Sequence, residues 1–299
     1  MELSWLTKIR IVIAIGIGVV LVGLLPWNMV EPENGFFALL SGAISLFDLM
    51  ICGLLALAAG FLASAVCTPY GGRIGILAVP GGLAVWAIRS ADLSNLFQAM
   101  PAVSSRLAIY NALRFEGFIW LALAGLGFIG AMAADRLLRK KTLDSEDSIE
   151  VKIKLHPLAS AGLAIVATVV IAAFLLNILA ADISYSDPKI NKVTGQPANL
   201  QIAFAVLIAF MACGFFSKLF LGTSYIWPAL ATVPVTIYTI IIYTKQPVME
   251  HLAGAWPAVF FARTSVSVLP IQMVAFGCLG AVWGYWLAVR YRFWREFES

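Results

Sequence analysis

Ala99-Met100-Pro101-Ala102-Val103, followed by Arg106, recurs as Ala255-Trp256-Pro257-Ala258-Val259, followed by Arg263. Each copy stands between two long apolar runs. The prolines lie 156 positions apart (257 minus 101), just over half of the 299-residue chain. Other pairs keep nearly the same offset. Gly60-Phe61 with Ser64 answers to Gly214-Phe215 with Ser217, Tyr70 to Tyr225, and Val79-Pro80 to Val233-Pro234. In the last apolar run of each half, Gly127-x-x-Gly130-Ala131 answers to Gly277-x-x-Gly280-Ala281, at an offset of 150 (277 minus 127). The order is kept and the offset drifts little. This is the mark of an internal duplication.

Composition sets the class. The chain is 61% hydrophobic and 12% charged, with a mean hydropathy of +0.92. Soluble domains carry about 25% charged residues, because their outer layer must be wettable. Apolar runs of helix-spanning length recur, and alternating barrel strands do not. The reading is an all-α integral membrane protein with about eight transmembrane helices, at residues 9–26, 36–66, 74–88, 115–134, 157–180, 200–221, 226–243 and 271–289. Residues 1–134 form one four-span repeat, 135–156 a charged linker, and 157–299 the second repeat with a short tail. Four spans per half is an even number, so both halves enter from one side. The repeats are then parallel, about a pseudo-two-fold axis along the membrane normal.

Local signals refine this. The second run is too long for one straight crossing, so its first part, 36–45, is expected to tilt or lie at the interface. Pro80-Gly81-Gly82 and Pro234 predict kinked or broken third and seventh spans. The first run follows Lys8 and Arg10 like a signal peptide. It ends in Pro26-Trp27-Asn28 without a small-residue cleavage pattern, and is read as a retained span.

Basic residues orient the chain. The side holding the termini and linker carries 13 of the 20 Lys and Arg, and the other side 7. The termini are therefore expected to be cytoplasmic in a plasma (inner) membrane. Both Pro-Ala-Val loops, 89–114 and 244–270, then face outward. These loops are long. Met100, Val103, Leu107, Tyr110 and Leu113 recur at helical spacing, which predicts a short amphipathic helix opened by Pro101, with a counterpart at Pro257. The functional alternative is a paired lid in which Arg106 and Arg263 face an anion.

Other positions carry less. Pro80 and Pro234 occupy matching places, and broken helices line sites in many carriers. Asp48 is the one acidic residue well inside a run, where a carboxylate is costly and often functional. It also suits the outer interface. Glu116 is expected at the surface beside Arg114. Cys52, Cys67, Cys213 and Cys278 read as small buried hydrophobes. His156 and His251 fall in loops. No nucleotide-binding, metal-ligand, haem or nucleophile motif is present, and no cofactor is expected.

The leading functional expectation is a non-catalytic subunit, a scaffold or anchor of a larger membrane assembly. It would contact the bilayer and protein partners through loops 89–114 and 244–270 and its lipid-facing helices, and no nucleic acid. A transporter or channel with its path between the repeats is the alternative. An enzyme at the outer surface, using Asp48, Glu116, Arg106 or His251, is the third.

Overall fold

The computed structural model describes residues 5–31, 44–138 and 156–297. Nearly all of the expected tilted segment at 36–45, and most of the linker 135–156, lie outside the described residues. Among the described residues, eight helices or helix pairs are long and apolar enough to cross a membrane, so the chain is a multi-pass membrane protein.

The first span is α1 (Trp5–Gly18), which runs on through a π-helical stretch, Val19–Leu24, to the short α2 (Trp27–Val30). The second is α3 (Leu46–Val66). The third is broken into α4 (Gly71–Ile74), a 3-10 turn, Gly75–Leu77, and α5 (Ala78–Arg89). A short α6 (Leu93–Ala99) precedes α7 (Val103–Leu138), the fourth span. Then come α8 (Pro157–Leu179), strands β1 (Ser184–Asp187) and β2 (Asn191–Gly195), and α9 (Asn199–Leu221). The seventh span is broken into α10 (Ile226–Leu230) and α11 (Thr232–Tyr243). The chain continues through α12 (Gln246–Ala255), β3 (Phe260–Phe261) and a 3-10 turn, Thr264–Val266, into α13 (Pro270–Phe297).

The helices pack inside out relative to a soluble bundle. On α8 the buried residues are mostly small, namely Ser160, Ala161, Ala164, Thr168, Ala172 and Ala173. Leu163, Val166, Val170, Phe174 and Ile178 form an exposed apolar stripe at helical spacing. α3 repeats the scheme, burying Cys52, Gly53, Ala56, Ala59, Gly60 and Ala63 while exposing Phe47, Met50 and Leu54. Lipid tails solvate large apolar side chains as well as a core does, so close backbone approach through small residues is what holds such helices together.

The two breaks share a geometry. Pro80 is the third residue of α5 and Pro234 the third of α11. At that position the missing N–H has no intrahelical partner to lose. The sequence predicted broken spans; the interruption falls just before each proline, and α5 and α11 are regular beyond it, through Gly81-Gly82 as well.

The Pro-Ala-Val segments correct the expectation of helices opened by Pro101 and Pro257. The short helices precede them. A residue before proline is driven out of the α region, so α6 ends at Ala99 with Met100 at φ −124°, ψ 77°, and α12 ends at Ala255 with Trp256 at φ −131°, ψ 145°. After Pro101 the amphipathic stretch fuses with the fourth span into the 36-residue α7. After Pro257 the chain extends into a strand.

That strand belongs to a small antiparallel sheet of order β1-β2-β3, an addition to the all-α expectation. Its register sets Tyr185 opposite Val193 and Thr194 opposite Phe261. The sheet, α6 and α12 gather at one end of the bundle, here the capped end. Arg10 in α1, whose carbonyl accepts from the Cys67 thiol, and Asp135 near the end of α7, which accepts from the Gly72 amide, gather at the opposite end.

Polar pins cross the bundle near the cap. Asn199 Nδ2 donates to the Ser90 carbonyl at 2.9 Å, and Gln272 Nε2 donates to Asn199 Oδ1 at 2.9 Å. Gln272 Oε1 accepts from the Leu269 amide at 3.0 Å. They join the end of α5 to the starts of α9 and α13.

Candidate functional site

Two polar clusters stand at the capped end. The first is centred on Asp187, at the end of β1. Its Oδ1 accepts from the Lys189 amide at 2.8 Å and the Ile190 amide at 2.9 Å, forming the side-chain turn that Asp favours before such a reversal. Asn191, at φ 65°, completes the turn in the left-handed region. Asp187 Oδ2 accepts from Trp256 Nε1 at 2.8 Å and lies 2.9 Å from His251 Nε2. Burial alone would push this carboxyl up. The bonds from Trp256, His251 and the two amides outweigh it and bring the carboxyl well below its ordinary range. Tyr185 stacks on Trp256, with ring centroids 5.9 Å apart, and Phe260 closes the group at 5.1 Å from Trp256. This cluster ties the hairpin to α12 and β3.

The second cluster surrounds Arg106, the fourth residue of α7. Arg106 is only 6% exposed. Its Nη2 donates to the Phe97 carbonyl in the last turn of α6, at 3.4 Å, and its guanidinium lies 5.3 Å from the Phe97 ring centroid. A cation there meets the negative end of α6. Its Nε is buried without a hydrogen-bond partner, and no carboxylate among the described residues pairs with it. Asp92, which precedes α6, makes no ion pair among the described residues either, and burial raises its carboxyl pKa.

Arg106 forms part of the wall of a small cavity with Phe97, Tyr110, Tyr243, Thr244 and Met249. The space for a water-sized sphere is about 10 Å³, room for one water. α6 and α7 supply one wall, and the end of α11, α12 and β3 supply the other. The two long loops therefore meet here: Phe97 packs on Phe261 at 5.9 Å and on Tyr110 at 5.3 Å. Arg263, half-buried, sits 5.9 Å over the Tyr243 ring. Two arginines thus approach Tyr243, one lining the cavity with it and one over its ring. Val266 also lines the cavity, and the Thr264 and Ser265 hydroxyls in the same turn are buried without hydrogen-bond partners.

The remaining sequence candidates scatter. Asp48 is half-exposed in the first turn of α3, among the exposed Leu46, Phe47 and Met50. A carboxylate there suits the positive end of the helix dipole. Pro80 is buried in α5, and Pro234 is half-buried in α11. Pro101 is exposed and Pro257 exposed, both in the extended links that end α6 and α12. Glu116 is fully buried in mid-helix, which corrects the expectation of a surface residue: α7 begins twelve residues before the apolar run that the sequence shows. Asp48, Arg106 and His251 make no hydrogen bond or ion pair with one another. The His251–Asp187 pair was missed, because Asp187 reads in sequence only as a turn residue. All four cysteines are buried free thiols.

No family model, curated protein or solved structure matches the chain.

Proposed function

We propose that this chain is a non-catalytic integral membrane subunit, a scaffold or anchor within a larger membrane assembly. In this reading it sits in the plasma (inner) membrane with both termini cytoplasmic and the capped end outward. It is built from two tandem four-helix repeats. The duplication is supported by helix contacts that repeat at a constant offset of 154 positions. A Cβ on Gly60 would meet the Gly127 carbonyl, and one on Gly214 the Ala281 carbonyl. Gly130 approaches the Leu57 carbonyl, and Gly284 that of Met211. These pairs align Gly127 with Ala281 and Gly130 with Gly284, not with Gly277 and Gly280. Tyr70 and Tyr225 precede the two broken spans in the same way.

The observation that carries the scaffold reading is the interlock between the halves. Gly117 on α7 is in close approach to Val233 on α11, Gln272 on α13 reaches the Ala87 carbonyl on α5, and Phe97 packs on Phe261. A frame braced across its own halves keeps its lipid-facing stripes on α3 and α8 in fixed positions for neighbouring helices. The test is gentle solubilisation from native membranes, followed by mass measurement of the intact particle. Partners in fixed stoichiometry are expected. A lone monomer or homodimer, with flux in proteoliposomes, would overturn the reading in favour of transport. That second reading has its own support in the matched breaks before Pro80 and Pro234 and in the fully buried Glu116.

A further inference from the structure

Arg106 is a buried cation that faces a cavity and lacks an acidic partner among the described residues. Taking a charge out of water is costly unless an opposite charge comes with it. The Phe97 carbonyl supplies only a partial charge, at 3.4 Å, and leaves Nε unbonded. We infer that the cavity between α6–α7 and α11–α12 is a binding site for a single small anion of halide size, with Arg106 as its principal counter-charge.

The surroundings suit such an ion. Tyr110 is 2% exposed, lines the cavity, and its hydroxyl makes no hydrogen bond among the described residues, so it is free to donate. The Thr244 hydroxyl already donates to the Ile240 carbonyl at 2.7 Å and is not a donor for the ion. Arg263, on the Tyr243 ring, adds a second positive charge at longer range. The first turn of α7 contributes the positive end of its dipole. The unbonded Thr264 and Ser265 hydroxyls lie in the turn that supplies Val266 to the wall. Size excludes tetrahedral oxyanions and headgroups, since the space takes one water-sized sphere. Met249, the most adaptable side chain of the lining, accommodates the somewhat larger radius of a halide. The site joins the two long loops, so occupancy ties the capped end together.

The test is thermal unfolding of the full-length protein in detergent, followed by tryptophan fluorescence. Sodium chloride or bromide is titrated against sodium gluconate at constant ionic strength. The expected result is a saturable rise of the midpoint, about 5 °C at a hundredfold excess over the dissociation constant. Arg106→Gln is expected to abolish the rise. Tyr110→Phe, which keeps the ring and fold, is expected to move the titration to several-fold higher halide. Should Arg106→Gln fail to fold, the tyrosine variant and a bromide anomalous-scattering peak beside Arg106 decide. Equal midpoints in chloride and gluconate would overturn the proposal, as would an undiminished response in Arg106→Gln. Glu33, a carboxylate by sequence, lies outside the described residues. A halide response absent in the wild type and present only in Glu33→Gln would assign the counter-charge to that carboxylate and equally refute the halide site.

Discussion

Gly60→Ala is the sharpest probe of how the bundle is held. The added Cβ would stand 1.9 Å from the Gly127 carbonyl oxygen, where ordinary contact begins at 3.4 Å. The helices α3 and α7 must therefore separate by about 1.5 Å at that point. Separation also loosens the neighbouring approach of Gly130 to the Leu57 carbonyl, so the loss spreads along the contact. Overpacking of this kind costs about 1–3 kcal/mol, and alanine's better helix propensity returns about 1 kcal/mol. A displacement this large belongs at the upper end, giving a net loss of about 2 kcal/mol. Gly214→Ala, whose Cβ would stand 2.4 Å from the Ala281 carbonyl, should cost somewhat less. Gly125 and Gly162 have nothing within 4 Å, so alanine there should be neutral or stabilising by about 0.5–1 kcal/mol. Denaturant titration in mixed micelles, read by the nine tryptophans, measures all four. Gly60→Ala as stable as Gly125→Ala would refute the backbone-contact account.

Gly222 ends α9 at φ 66°, so Gly222→Ala should destabilise by about 1 kcal/mol in the same titration. Gln272→Leu leaves the Leu269 amide and the Asn199 side chain without their partner, and should cost about 1–3 kcal/mol. Asp187 is lowered in the folded chain relative to its ordinary value, so its stabilising contribution is present above about pH 4 and is lost as pH falls through that range toward the folded value. The protection of amides 184–195, their exchange measured against the intrinsic rate at each pH, should fall on acidification. In Asp187→Asn that protection should be low already at neutral pH and lose the acid dependence.

The spans were legible because the membrane leaves little choice: a run of apolar residues long enough to cross becomes a helix. The broken spans were legible because Pro80 and Pro234 cannot lie deep in a regular helix without cost. The start of α7 was not. Ser104, Ser105, Arg106 and Asn111 lower the local hydropathy, and a hydropathic reading begins the span only after them. The same error placed Glu116 at a helix end. β1 was hidden because Ser184-Tyr185-Ser186-Asp187 has no apolar alternation, its face being set by Trp256 and Phe260. Asp187 and its partners His251 and Trp256 are separated by 64 and 69 positions, a distance that only the fold closes. The arginines were legible as a pair, and their meeting at Tyr243 was not.

The length of α7 has a mechanical consequence. At about 1.5 Å per residue its 36 residues extend for about 54 Å, whereas the hydrocarbon layer is about 30 Å thick. One uninterrupted rod therefore carries Arg106 at one extremity, while near the other Asp135 accepts from the Gly72 amide. A rod held at both ends transmits torque. A twist imposed at the cap is delivered, undivided by any loop, to the opposite side of the bilayer, at the threshold of the charged linker.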